Sequence, residues 1–211
     1  MPVLTLTLRA VTLIIKFALT LSLAKNLSES DFGFYGLITA VLIYSVSLLG
    51  LEYYTFAIRE SLSNKKDLQG WVIKNHLLII IITHLFCAPL GIYLIFTSQL
   101  SSYIKIILLP LLFLEHLNTE ISRLLPALSH QFAANFMLFV RQVPWALVFI
   151  FLSKENESIR TLEFIFMGWA MSSLISAILG EILIKNYNLA GWEKKIDLIY
   201  IRSGFSTVLI Y

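Results

Sequence analysis

Charge is scarce in this sequence. Only 14% of its 211 residues are Asp, Glu, Lys or Arg, against about a quarter in soluble domains. That excludes an ordinary water-soluble globule, and a mean hydropathy of +0.81 makes lipid the solvent for most of the chain. Cysteine is nearly absent as well. Cys87 stands alone in an apolar run, which excludes an internal disulfide and any cysteine-based metal site. There is no strand periodicity, no low-complexity tract and no room for a soluble domain. Phosphate-binding loop, metal-ligand cluster and nucleophile arrangement are all missing, so neither catalytic residues nor a metal nor a cofactor is expected. The chain is not read as an enzyme. Its basic residues are scattered, which fits membrane topology rather than nucleic-acid binding.

What the sequence has in quantity is long apolar runs. A helix needs roughly 20 mostly apolar residues to cross about 30 Å of hydrocarbon. Six runs qualify: 3–25, 34–57, 71–97, 103–125, 132–152 and 162–184. The expected fold is therefore an all-α integral membrane bundle of six transmembrane helices, occupying residues 1–200. A seventh run begins near 203 and reaches only Tyr211, a rise of roughly 14 Å that cannot cross a bilayer. Residues 201–211 are read as the start of a seventh helix, and the chain as a piece of a longer one. The first run holds Arg9 and Lys16 and is too long for a cleaved signal core. "NLSESDFG" (26–33) reads as the turn between the first two spans, with Gly33 suited to a left-handed position.

Lysine and arginine near the span ends set the orientation. Arg59, Lys65, Lys66, Lys74, Arg123, Lys185, Lys194, Lys195 and Arg202 fall at one end, and Lys25, Lys105, Lys154 and Arg160 at the other. The richer end is expected to be cytoplasmic, with the N terminus inside, and Trp71 and Trp192 sit near that face.

Ionisable groups inside the spans are the informative ones, because each costs about 2.5–3.5 kcal/mol on insertion scales. Thr5, Arg9, Thr12, Lys16 and Thr20 recur at spacings of 4, 3, 4 and 4, one helical stripe. Lys16 lies roughly 20 Å along its helix, too deep to snorkel easily. The stripe either lines a wet cavity or packs against a neighbouring helix. In "EHLNTEISR" (115–123), His116, Glu120 and Arg123 share one stripe, and Glu115, Thr119 and Ser122 the next. Glu120 and Arg123 are expected to form a structural ion pair near the boundary, with Glu115 and His116 deeper. Arg141, roughly 14 Å into the following span, matches the depth of Glu115. Either the two pair, or each faces the cavity separately. Pro110 and Pro144 sit near mid-span, where a missing backbone bond kinks a helix. His84 is expected to bond a neighbouring helix, and Glu52 to be an end-of-span charge with Arg59.

Three stretches resemble the oligosaccharide flippase family, within the multidrug, oligosaccharidyl-lipid and polysaccharide exporter superfamily. They are "LAKNLSESDFGFYGL", "LLGLEYYTFAIRES" and, most specifically, "EHLNTEISRLLPALSHQFAANFMLFVRQVPW". The last presents Glu115, Glu120, Arg123, Gln131, Asn135, Arg141 and Trp145 in a pattern similar to that of O-antigen-type flippases. The resemblance implies one lobe of a two-lobe exporter, with the C-terminal lobe required for activity. Such a protein moves a polyprenyl-diphosphate-linked oligosaccharide across a bacterial inner membrane by alternating access, for surface polysaccharide biosynthesis. Arg9, Lys16 and Arg141, with Glu115 and His116, become the expected substrate-binding set. Two alternatives stand beside it: a cation-coupled multidrug exporter of the same superfamily, and an inactive truncated fragment.

Overall fold

The computed structural model describes residues 2–50, 53–62, 69–95, 101–186 and 194–197. Among the described residues the regular structure is helical and there is no strand. The elements are α1 (Pro2–Asn26), α2 (Glu29–Gly50), α3 (Tyr53–Leu62), α4 (Gln69–Ile95), α5 (Ser102–Ala127), α6 (Gln131–Leu152) and α7 (Leu162–Asn186), with a 3-10 turn over Glu157–Ile159.

The helices start where their caps are. Ser28 accepts from the Asp31 backbone N–H at 3.1 Å while its hydroxyl donates to the Asp31 carboxylate at 2.8 Å, a capping arrangement that opens α2. Helix thus begins inside the stretch expected to be a turn, and Gly33 lies within α2 rather than in a left-handed turn. Ser101 caps α5 in the same way through the Ile104 N–H. At the other end of α5, Ser129 adopts φ 69°, and the His130 N–H bonds back to Leu125 O at 2.8 Å. That closes the carbonyls of the last turn and reverses the chain into α6.

Among the described residues, four helices are long and apolar enough to cross a membrane: Val3–Asn26, Glu29–Ser47, Gln131–Leu152 and Leu162–Ile184. This is fewer than the six read from the sequence. The expected second span, 34–57, coincides with α2 and the start of α3, and residues 51 and 52 between them lie outside the described residues. The expected fourth span is one unbroken helix, α5, but Lys105, Glu115, His116, Asn118, Glu120 and Arg123 make it too polar. The expected third coincides with α4, whose side chains are described as far as Leu85. Helices α5 and α6 continue through Pro110 and Pro144. The expected seventh helix, Glu52, Lys65, Lys66, Trp192 and Arg202 lie outside the described residues.

Packing centres on α5, α6 and α7, with α1 laid against α6. The main core joins Leu19 and Leu23 of α1, Ile38 of α2, Leu108 and Leu111 of α5, Phe149 of α6 and Phe166 of α7. A smaller cluster holds α3 on α4 through Tyr53, Phe56, Val72 and Ile79. Gly180 lets α7 approach closely. A Cβ there would stand 2.5 Å from Met137 Cε and 3.0 Å from Ile121 Cδ1. Small residues at helix contacts are the usual means of close packing where lipid supplies no hydrophobic drive.

Residues 194–197 dock on the first turns of α4. Trp71 donates to Lys195 O at 2.6 Å, Lys74 to Lys194 O at 3.1 Å, and the Asp197 N–H to Asn75 Oδ1 at 3.0 Å. Residues that the sequence reading assigned to one end of the bundle therefore gather at one end.

Candidate functional site: two buried polar centres on α5

Helix α5 presents two polar stripes, and each meets a different partner. On the first, Glu115 faces α6 and α7. Its Oε1 accepts from Trp169 Nε1 at 2.9 Å and from the Ser173 hydroxyl at 2.6 Å. Its Oε2 lies 3.7 Å from an Arg141 guanidinium nitrogen. That distance is a contact between charges rather than a hydrogen bond. Arg141 also reaches Thr119 Oγ1 at 3.5 Å, and both charged side chains are nearly buried, 10% and 13% exposed. The depth match between Glu115 and Arg141 thus becomes spatial proximity. Arg141 meets protein groups rather than an open cavity.

Further bonds extend this centre along the α5–α6–α7 contact. Asn118 donates at 2.8 Å to Ser173 O, and Ser176 donates at 3.1 Å to Met137 O. Trp169 lies nearly parallel to Trp145, with ring centroids 6.0 Å apart. Sequence reasoning did not single out Trp169, Ser173 or Ser176. Their spacing of four and three residues on an apolar helix was the available signal.

The second stripe faces α4. Glu120 accepts from Arg123 at 2.8 Å and from His76 Nε2 at 2.9 Å, and His116 Nε2 lies 3.7 Å away. Arg123 covers the Tyr54 ring at 4.0 Å, a cation–π contact. The Glu120–Arg123 pair therefore exists within a larger group. His116 is fully buried, packed at 4.8 Å against the His84 ring. His84 bonds its own helix through Ile80 O at 2.8 Å, and its ring also packs on α5 against Phe113 and His116. His76 was missed because "VIKNHL" opens a span, where polar residues read as interfacial.

Beside this second centre, between α3, α4, α5 and α7, lies a cavity of about 670 Å³. Its walls are mostly apolar, with His76, Glu120, Tyr54 and Glu181 as its polar members.

The first helix contributes differently. Thr12 is buried and bonds Leu8 O at 2.8 Å, whereas Arg9, Lys16 and Thr20 are exposed. Among the described residues, Arg9 and Lys16 have no ion-pair partner. The expected binding set is therefore not one site. Glu115 and Arg141 meet at the α5–α6–α7 contact, His116 belongs with Glu120, and Arg9 and Lys16 stand on α1.

No family model, curated protein or solved structure matches the chain.

Proposed function

We propose that this helical bundle is one lobe of a membrane transporter for an anionic lipid-linked substrate, a polyprenyl-diphosphate oligosaccharide. Helices α1, α2, α4, α5, α6 and α7 are then the six spans of the lobe, in a bacterial inner membrane with the N terminus cytoplasmic. One observation carries the reading. Lys16 lies in the middle of α1, a helix apolar enough to cross a membrane, yet its side chain is exposed and lacks an ion-pair partner among the described residues. A cation at that depth does not rest against hydrocarbon; it requires water or an anion. Arg9 lies seven residues earlier on the same stripe and is also exposed. Two cations on one stripe facing a passage offset the desolvation of a diphosphate. Arg9 adds a planar fork suited to phosphate oxygens. The resemblance of "EHLNTEISRLLPALSHQFAANFMLFVRQVPW" to oligosaccharide flippases supplies the substrate class.

The expected result is that Lys16→Leu in the full-length protein abolishes export and weakens binding of a polyprenyl diphosphate in nanodiscs by at least tenfold, with membrane abundance unchanged. Unchanged binding and export would refute the cationic passage.

A second reading, export of lipophilic cations, is favoured by the cavity. Its polar walls include Glu120 and Glu181 but no lysine or arginine. Binding of tetraphenylphosphonium in place of the diphosphate lipid would select it.

Orientation has its own test. In a Cys87→Ser background, a cysteine replacing the exposed Glu157 should react with an impermeant thiol reagent from outside, and one replacing Gln131 should not. The reverse pattern inverts the topology.

A further inference from the structure

The centre on α4 and α5 holds more titratable groups than its ion pair uses. Arg123 already balances the charge of Glu120 at 2.8 Å, and two histidines lie beside that pair. Hydrogen-bond chemistry fixes where their lone pairs are. A carboxylate only accepts, so His76 Nε2 donates to Glu120 and leaves a lone pair on Nδ1. A carbonyl only accepts, so His84 carries its hydrogen on Nδ1 and its lone pair on Nε2. Both of these nitrogens are buried without a hydrogen-bond partner, and so are both ring nitrogens of His116. Buried polar atoms are ordinarily satisfied, yet four imidazole nitrogens here are not.

The ligand this arrangement fits is small. Among the described residues, no group of three or more His, Cys, Asp or Glu side chains is placed to hold a metal ion. We propose that the His76–Glu120–His116 cluster is a proton-binding site, filled from the cavity that His76 and Glu120 line. The incoming proton adds to an imidazole lone pair of His76 or His116, with no bond broken and one positive charge gained.

The surroundings favour that charge. Tyr53 stacks on His76 at 5.6 Å and 8°, within cation–π range of an imidazolium. Glu120 lies 2.9 Å from His76 and 3.7 Å from His116. The other charged or titratable groups on the packed elements include Tyr54, Arg59 and Glu60 of α3, Lys74 and His84 of α4, Tyr103, Lys105, Glu115 and Arg123 of α5, and Glu163 and, across the cavity, Glu181 of α7. The described acids of α2, Glu29 and Asp31, lie in its first turn. Glu60 and Glu181 equal Arg59 and Lys74 in number, so one added proton does not meet a surplus of cations. Use of the proton to drive transport rests on the transporter reading above; proton binding itself does not.

The chain has four histidines, which makes ring-nitrogen NMR on the full chain in nanodiscs tractable. One cluster imidazole should become doubly protonated between about pH 5 and 8, distinct from His130. Glu120→Gln should move that transition to lower pH, because it removes the carboxylate that favours the cation. Cluster imidazoles that stay neutral throughout the range in the unsubstituted chain would overturn the proposal, whether or not the variant folds. So would a transition that Glu120→Gln leaves in place. The titration is read without any transport, so its failure and that of the transporter reading are separate results.

Discussion

Replacing Glu115 with alanine should remove most of the folded protein from the membrane. Two effects contribute, and their sizes differ. The hydrogen bonds from Trp169 and Ser173 to Glu115 are interhelical polar contacts, which average about 0.6 kcal/mol each inside membranes. Stranding Arg141 does more damage. Breaking a buried charge pair by removing one partner costs about 3–5 kcal/mol, because the remaining charge stays in a low-dielectric site. Arg141 is 10% exposed on its side chain, so water does little to relieve it. Ser173→Ala should therefore cost a fraction of what Glu115→Ala costs. Removing Arg141 as well should restore stability toward the unsubstituted level. The measurement is a double-mutant cycle on membrane abundance and on unfolding in detergent. Additive single-mutant effects would mean that the 3.7 Å contact carries no coupling.

Glu120→Ala should be the second most damaging change, by about 1.5–3 kcal/mol, the usual range for hydrogen bonds to a charged group. It removes the shared acceptor of His76 and Arg123. The loss should be smaller than at Glu115. Arg123 is 31% exposed on its side chain and still has the Tyr54 ring beneath it, so its charge is partly resolvated. Arg123→Ala, which leaves Glu120 bonded to His76, should cost roughly 0–1 kcal/mol, as partly exposed pairs do. Thermal unfolding of the three proteins in one detergent gives the order. An Arg123→Ala loss as large as that of Glu120→Ala would place the stabilisation in the ion pair and not in the histidine contact.

These two residues also mark how far sequence alone carries. Helix positions were legible, because apolar runs and polar turns report them directly: 132–152 against Gln131–Leu152, and 162–184 against Leu162–Asn186. Stripe arithmetic separated the Glu115 face of α5 from the His116 face, and equal depth brought Arg141 to Glu115. What the sequence could not give was which helix each stripe meets. Side-chain spacing fixes faces within a helix, whereas Trp169, Ser173 and His76 enter through the order in which helices pack. The exposure of Lys16, between the buried Thr12 and Leu19 of the same helix, has the same origin.

The close approach at Gly180 restricts which movements remain. Sliding α7 by one residue along its neighbours would bring Leu179 or Glu181 into the place of Gly180. Each carries a Cβ, and a carbon there meets Met137 at 2.5 Å and Ile121 at 3.0 Å. A slide of α7 therefore requires the side-chain ends of Met137 and Ile121 to move aside, which couples its movement to repacking on α5 and α6. The 670 Å³ cavity lies between α3, α4, α5 and α7. An opening along that cavity would part His76 of α4 from Glu181 of α7, and so uncover the polar members of its wall.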